Sequence, residues 1–142
     1  MATELSAQVV LADGLRFIGR TQSGHEVTMD AAATAGSAGP TPMELVLISL
    51  AGCSAMDVIT ILRKQRQPVA GLEVQVRGER SDDRPRVFTT IELRYLVRGA
   101  GVDPAAVRRA IELSQERYCP VWAMLGRHVQ IIPSFQIVDD SG

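Results

Sequence analysis

The chain has 142 residues, a formal net charge of −1, 46% hydrophobic and 22% charged residues, a balance that suits one folded domain with a real core rather than a disordered segment. Neither charge sign dominates and aromatic residues make up 4%, so the basic surfaces and stacking platforms of nucleic-acid binders are not expected. The opening MATELSAQVV lacks the basic and apolar regions of a secretory leader, and the apolar run Leu45–Met56 is short for a bilayer span, so a cytoplasmic protein without a membrane partner is expected.

The first third predicts a strand meander. Ala7–Leu11, Leu15–Arg20 and His25–Met29 are β-compatible runs separated by Asp13-Gly14 and Ser23-Gly24, dipeptides that favour hairpins because glycine reaches positive φ without a Cβ clash. Small residues from Ala31 to Pro40 predict a flexible connection. Thr41, Pro42 and Glu44 then match an N-cap, a first-turn proline and a capping box, opening a helix that should end near Arg66, ahead of Pro68 and Gly71. The first half of this helix, LVLISLAGCSAM, is apolar almost all round. A helix of that kind must be enclosed on every face, which implies a second subunit.

Two alternating strands should follow, one with Leu72, Val74 and Val76 on a face and one with Val87, Thr89, Ile91, Leu93, Tyr95 and Val97 in phase. The ERSDDRPR segment between them reads as a solvated hairpin tip. Asp103-Pro104 opens a second helix reaching Tyr118, with Val107, Ala110, Ile111 and Ser114 on one face. Cys119-Pro120 begins a short helix to about Leu125, and Val129–Val138 forms the last strand, with Pro133 suggesting a sheet edge or a bulge. Strands in blocks rather than singly alternating with helices make the fold class α+β, in a single domain over residues 1–142.

Cys53 and Cys119 are the two cysteines of the chain. In a reducing compartment a bond between them would be catalytic or transient rather than a staple. Cys53 lies mid-helix among small residues in Leu50-Ala51-Gly52-Cys53-Ser54-Ala55, and on its own reads as a buried hydrophobe. Cys119 stands at a helix junction where the amides of the new helix should favour a thiolate. A metal site built from Cys53, Cys119, His25 and His128 is not expected, because no two of them show the short spacing of structural zinc ligands. A serine triad around Ser54 and Asp57 lacks a strand-turn-helix elbow.

Two motifs, Pro42-Met43-Glu44-Leu45 running on to Ala51-Gly52-Cys53-Ser54, and Tyr118-Cys119-Pro120-Val121, resemble those of the OsmC/Ohr family (osmotically induced and organic hydroperoxide resistance proteins), and the order of elements fits over nearly the whole chain. The resemblance implies an intertwined homodimer with antiparallel sheets packed around a long central helix. It also implies a thiol-dependent peroxidase for organic hydroperoxides in stress defence, with no cofactor and no metal. By analogy Cys53 attacks the peroxide, Cys119 resolves the sulfenic acid, and a dithiol reductant restores both. Family members active as peroxidases carry a glutamate directly after the helix-opening proline, paired with an arginine. Here that place is Met43, with Glu44 one position later, and the arginine role falls to Arg16, with Arg20 second. Met43 leaves that arginine without its family carboxylate, which keeps open a second reading: a redox sensor or small-ligand binder on the same scaffold. Trp122, where the family often has a small polar residue, either walls a pocket or belongs to the core.

Overall fold

The computed structural model describes residues 3–31 and 36–139, and the chain divides into two compact units, Met1–Val46 and Leu47–Gly142. In the first, β1 (Ala7–Asp13), β2 (Arg16–Thr21) and β3 (Glu26–Met29) form an antiparallel sheet in chain order. Gly14 and Gly24 occupy the turns at φ 55° and 88°, the left-handed region that residues with a Cβ rarely enter, as the sequence predicts. Residues 32–35 of the expected flexible connection lie outside the described residues. Its far end returns to the sheet, with the Asp30 N–H donating to the Pro40 carbonyl at 3.1 Å.

The long helix α1 (Pro42–Lys64) starts in the first unit and continues through the second. Its start is the expected capping box: Glu44 N–H donates to Thr41 Oγ1 at 3.1 Å and Thr41 N–H donates to Glu44 Oε1 at 2.9 Å. The apolar run continues past Asp57 through Val58, Ile59, Ile61 and Leu62, so the helix is long and apolar enough to suit a membrane span by length and composition. The sequence reading stopped that run too early. Leu50, Ser54, Val58 and Leu62, spaced by four, are nevertheless fully buried in protein, which makes this stripe part of a core. The helix is not enclosed on every face within one chain, because Ile48 is 56% and Met56 72% exposed.

In the second unit β4 (Gly71–Arg80) pairs antiparallel with β5 (Phe88–Arg98), placing Leu72, Val74 and Val76 opposite Val97, Tyr95 and Leu93. A register shift between Glu79 and Arg80 turns the alternation over at the start of β5, so Phe88 is buried while Val87 and Thr89 are exposed. That bulge is why the expected phase fails at its first two members. Gly78 is required here, because a Cβ at this position would meet the Phe88 ring at 2.7 Å.

From β5 the chain crosses over through α2 (Pro104–Leu113), a π-turn (Ser114–Tyr118) and α3 (Pro120–Leu125) to β6 (Gln130–Val138). That crossover lets β6 lie parallel to β5. The α+β class holds, but this sheet, in the order β4-β5-β6, is mixed rather than wholly antiparallel. Pro133 sits on its edge strand beside Leu93. Tyr95, Ile91, Leu93 and Val97 of β5, Val107 of α2 and the α1 stripe form the fully buried core of this unit.

Candidate active site

The sulfurs of Cys53 and Cys119 and a carboxylate oxygen of Asp57 all lie within 4.8 Å of one another. Both cysteines are unbonded thiols, Cys53 partly buried and Cys119 only 2% exposed. Three local features bring the atoms together. Cys53 and Asp57 are four apart on α1, one turn along the same face. Cys119 is the N-cap of α3, with extended φ of −85° and ψ of 104°, and its sulfur accepts from the Trp122 N–H at 3.3 Å. The π-turn before it is closed by the Cys119 N–H donating to the Ser114 carbonyl at 2.9 Å, a bond spanning five residues.

Under this cluster runs a buried chain of hydroxyls. The Ser114 Oγ–H donates to Asp57 Oδ2 at 3.0 Å, Ser54 Oγ lies 2.8 Å from Ser114 Oγ, and Tyr95 OH lies 2.6 Å from Ser54 Oγ. An ionised carboxylate only accepts, and Ser114 has one proton to give. The chain is therefore directed: Tyr95 donates to Ser54, Ser54 to Ser114 and Ser114 to Asp57. All three hydroxyl residues are fully buried, so leaving any one of them unpaired would be costly. Burial, ahead of its other influences, pushes the Tyr95 hydroxyl up to about 12, and it remains a donor at all ordinary pH.

The Cys119 thiol is pushed up to about 11, chiefly by burial, with the Cys53 side chain and the Asp57 charge adding to the rise against the Trp122 N–H that lowers it. The expected helix-terminal amide is in place, but the thiolate it was expected to favour is not the resting form. One hydrogen bond does not offset the desolvation of a buried anion.

Arg16 and Glu44 belong to the first unit, each with partners of its own. Glu44 is engaged in the capping box with Thr41. Arg16 Nε donates to Asp30 Oδ2 at 3.1 Å and its terminal nitrogen donates to the Gly36 carbonyl at 3.2 Å. Asp30 is held below the ordinary carboxylate range by the backbone N–H groups of Ala38 and Ala31 and then by Arg16. The arginine that Met43 leaves without a family carboxylate therefore has one, supplied by Asp30. Arg20 pairs instead with Glu26 at 2.8 Å. Trp122 is buried and is a core residue.

Sequence reasoning weighed Asp57 only in a dismissed serine triad with Ser54, and missed its place beside the cysteines, Asp30 and the hydroxyl chain. For Asp57 the signal was present: a lone carboxylate inside an apolar helix, one turn after a cysteine. The Cys53, Cys119 and Asp57 atoms are also the set a soft cation would meet, though three donors leave a four-coordinate shell incomplete. His128 is not part of the group, and His25 sits in the turn before β3 with its ring 3.0 Å from Ser23 Oγ.

The family model for OsmC-like proteins matches residues 34–134. The chain belongs to the OsmC-like family. Protein YhfA of Escherichia coli K12 is 44% identical to it over 134 residues, covering 94% of this chain and 98% of that one. A solved structure of a hypothetical protein from Aquifex aeolicus VF5 superposes with a TM-score of 0.89 at 29% identity, covering 99% and 100% of the two chains. The organic hydroperoxide resistance protein OhrB of Bacillus subtilis shares the fold, with a TM-score of 0.65 at 17% identity over 92% of this chain and 98% of that one. This OsmC-like chain thus has the α+β class and long helix that the two motifs imply, with both cysteines brought to one site.

Proposed function

We propose that this OsmC-like protein is a thiol-dependent peroxidase that reduces organic hydroperoxides through Cys53 and Cys119 in the cytoplasm, in stress defence. The observation that carries the reading is the approach of the two unbonded sulfurs to within 4.8 Å. A disulfide needs about 2 Å between them, so closing it calls for a further approach of the two sulfurs. Cys53 is the more exposed thiol and attacks the peroxide oxygen, releasing the alcohol and becoming a sulfenic acid. Cys119 then displaces that oxygen as water, and a dithiol returns both thiols. Arg16, held by Asp30, is the candidate cation for the attacking thiolate, and Glu44 stabilises the start of the helix that carries Cys53.

The same reading makes the protein a homodimer, since the outward side of α1, with Ile48 and Met56, leaves apolar surface in water. A stable monomer in sedimentation equilibrium at micromolar concentration would remove that part. The chemical part is tested by counting thiols before and after one equivalent of an organic hydroperoxide. Loss of both thiols with a Cys53–Cys119 disulfide in the peptide map is the expected result. Unchanged thiols, or sulfinic acid on Cys53 beside a reduced Cys119, would refute it. The protonated Cys119 favours one other reading, a redox sensor in which the same bond closes slowly. Turnover under excess hydroperoxide and dithiol separates the two.

A further inference from the structure

We infer that Asp57 is the proton carrier of the cysteine pair: its carboxylate takes the proton of the Cys119 thiol as that sulfur attacks Cys53. This rests on the peroxidase reading for its physiological step, but the geometry behind it is independent of the oxidant. The Asp57 carboxylate lies within 4.8 Å of both sulfurs. It is fixed by Ser114 and, behind it, by Ser54 and Tyr95. It also lines an open cavity of about 400 Å³ with Thr60, Ile61, Lys64 and Tyr118. One group thus borders both thiols and a space where protons exchange with water.

The need for such a group follows from Cys119. A thiol at about 11 is overwhelmingly protonated near neutral pH, and it is the thiolate that attacks sulfur. In the closing step the Sγ–Sγ bond forms, the S–O bond of the Cys53 sulfenic acid breaks, and the S–H bond of Cys119 breaks. Asp57 accepts the Cys119 proton and passes it to the departing hydroxide, which leaves as water. The sulfenic sulfur is reduced, the thiol sulfur is oxidised, and Asp57 ends as it began. The groups facing Asp57 are Cys53 on its own helix, Cys119 at the start of α3, Ser114 in the π-turn and, behind Ser114 and Ser54, Tyr95 of β5, while Lys64 of the same helix and Tyr118 line the cavity with it. Among the described residues in this cluster, Asp57 is the only carboxylate.

Removing Asp57 has two opposing consequences. Its charge helps hold the Cys119 thiol up, so without it more thiolate forms. Yet burial is the largest cause of that rise and the Asp57 charge the smallest of those acting, so loss of the base outweighs the gain in thiolate.

The test uses the full chain and Asp57→Asn, which keeps the side-chain size. The reduced protein is mixed with Ellman's reagent. A first release of thionitrobenzoate marks the mixed disulfide, and a second marks attack by the remaining thiol to close the Cys53–Cys119 bond. A parallel arm with one equivalent of organic hydroperoxide follows sulfenic acid and disulfide by mass spectrometry. We expect the ratio of the second phase to the first to fall on the order of a hundredfold in Asp57→Asn. Closure in the variant should then climb about tenfold per pH unit towards the ionisation of Cys119 itself, while the wild type stays flatter. Ser114→Ala, which keeps the carboxylate but releases it, should slow closure by a smaller factor, and serves if Asp57→Asn does not fold. Closure at the wild-type rate and pH profile in the Asn variant, or in Ser114→Ala where that stands in for it, overturns the assignment. A wild type that closes normally with Ellman's reagent but ignores hydroperoxide refutes the peroxidase reading and leaves Asp57 to be judged on the first arm.

Discussion

Raising the pH should destabilise the reduced protein, and Cys119 should account for a separable share of the loss. The Cys119 thiol ionises at about 11 in the folded chain against an ordinary 9.0. Below pH about 9 both the folded and the unfolded chain keep this proton, and its contribution to stability is fully present. Between about 9 and 11 the unfolded chain releases the proton while the folded chain retains it, so stability falls with pH until the folded thiol also ionises. A difference of that size sets a ceiling of about 3 kcal/mol. Solvent reaching the site from the Cys53 side reduces it to roughly 1–2 kcal/mol. Cys119→Ser removes the titration and leaves an oxygen able to accept the Trp122 N–H. Urea midpoints of both proteins, with a reductant present, should be compared at pH of about 8 and about 10.5. The wild type should lose roughly 1–2 kcal/mol more than the variant over that interval. Tyr95, raised to about 12, titrates in both and cancels in the difference. Equal losses in the two proteins would show that burial does not hold the Cys119 proton, and the argument for an assisting base would fall with it.

The buried hydroxyl chain should be worth a measurable amount: Tyr95→Phe removes its first donor and is expected to cost about 1–3 kcal/mol in chemical unfolding; a cost near zero would mean that Ser54 is satisfied without it. Cys53→Ser should abolish hydroperoxide consumption, whereas Cys119→Ser should allow one turnover and leave Cys53 as a sulfenic acid that dimedone traps. Consumption at the wild-type rate in Cys53→Ser would mean that the attacking thiol is wrongly assigned. Arg16→Ala should slow the attack step, and Asp30→Asn should slow it less, because Asp30 acts only by holding Arg16. Stopped-flow rates unchanged in both would remove the arginine role and make Arg20 the next candidate.

Local chemistry made much of the fold legible. Asp13-Gly14 and Ser23-Gly24 mark turns because only the backbone of glycine is needed to fix them. Thr41 and Glu44 announce the helix start through two mutual hydrogen bonds that span three residues. What stayed hidden depends on pairing across the chain. The bulge at Glu79 and Arg80 turns Phe88 inward and Thr89 outward, and nothing in a single strand shows a slip that exists only relative to its partner. The parallel pairing of β6 likewise follows from where the α2–α3 crossover delivers the chain. At the site, two cysteines 66 positions apart were singled out by the motifs around them, but Ser54, Tyr95, Ser114 and Asp57 come from three separate elements and carry no common spacing. The carboxylate for Arg16 was sought at the helix start, around Met43, and is found instead at Asp30, just after β3.

The π-turn at Ser114–Tyr118 offers the sharpest test of how the cysteines are brought together. In an α-helix the Cys119 N–H would bond to the carbonyl four residues back, whereas here it reaches Ser114, five back. The extra residue lets Ser114 stay on the buried face of α2 while the chain emerges at the right angle for Cys119 to cap α3. One residue in a helix corresponds to a rotation of about 100°. Inserting one alanine after Glu116, which is exposed, puts Ser114 six residues before Cys119, too far for any helical bond to its carbonyl, and should swing Cys119 away from Cys53 by about that angle, while the buried α2 face through Ser114 is retained. Circular dichroism should show a protein of near wild-type helix content. Ellman's reagent should label Cys53 without the second release that reports closure, and Asp57 should lose its effect on the remaining thiol chemistry. Rapid closure in this folded insertion variant would refute the view that the π-turn sets the approach of the two sulfurs, and would assign that role to the packing of α3 alone.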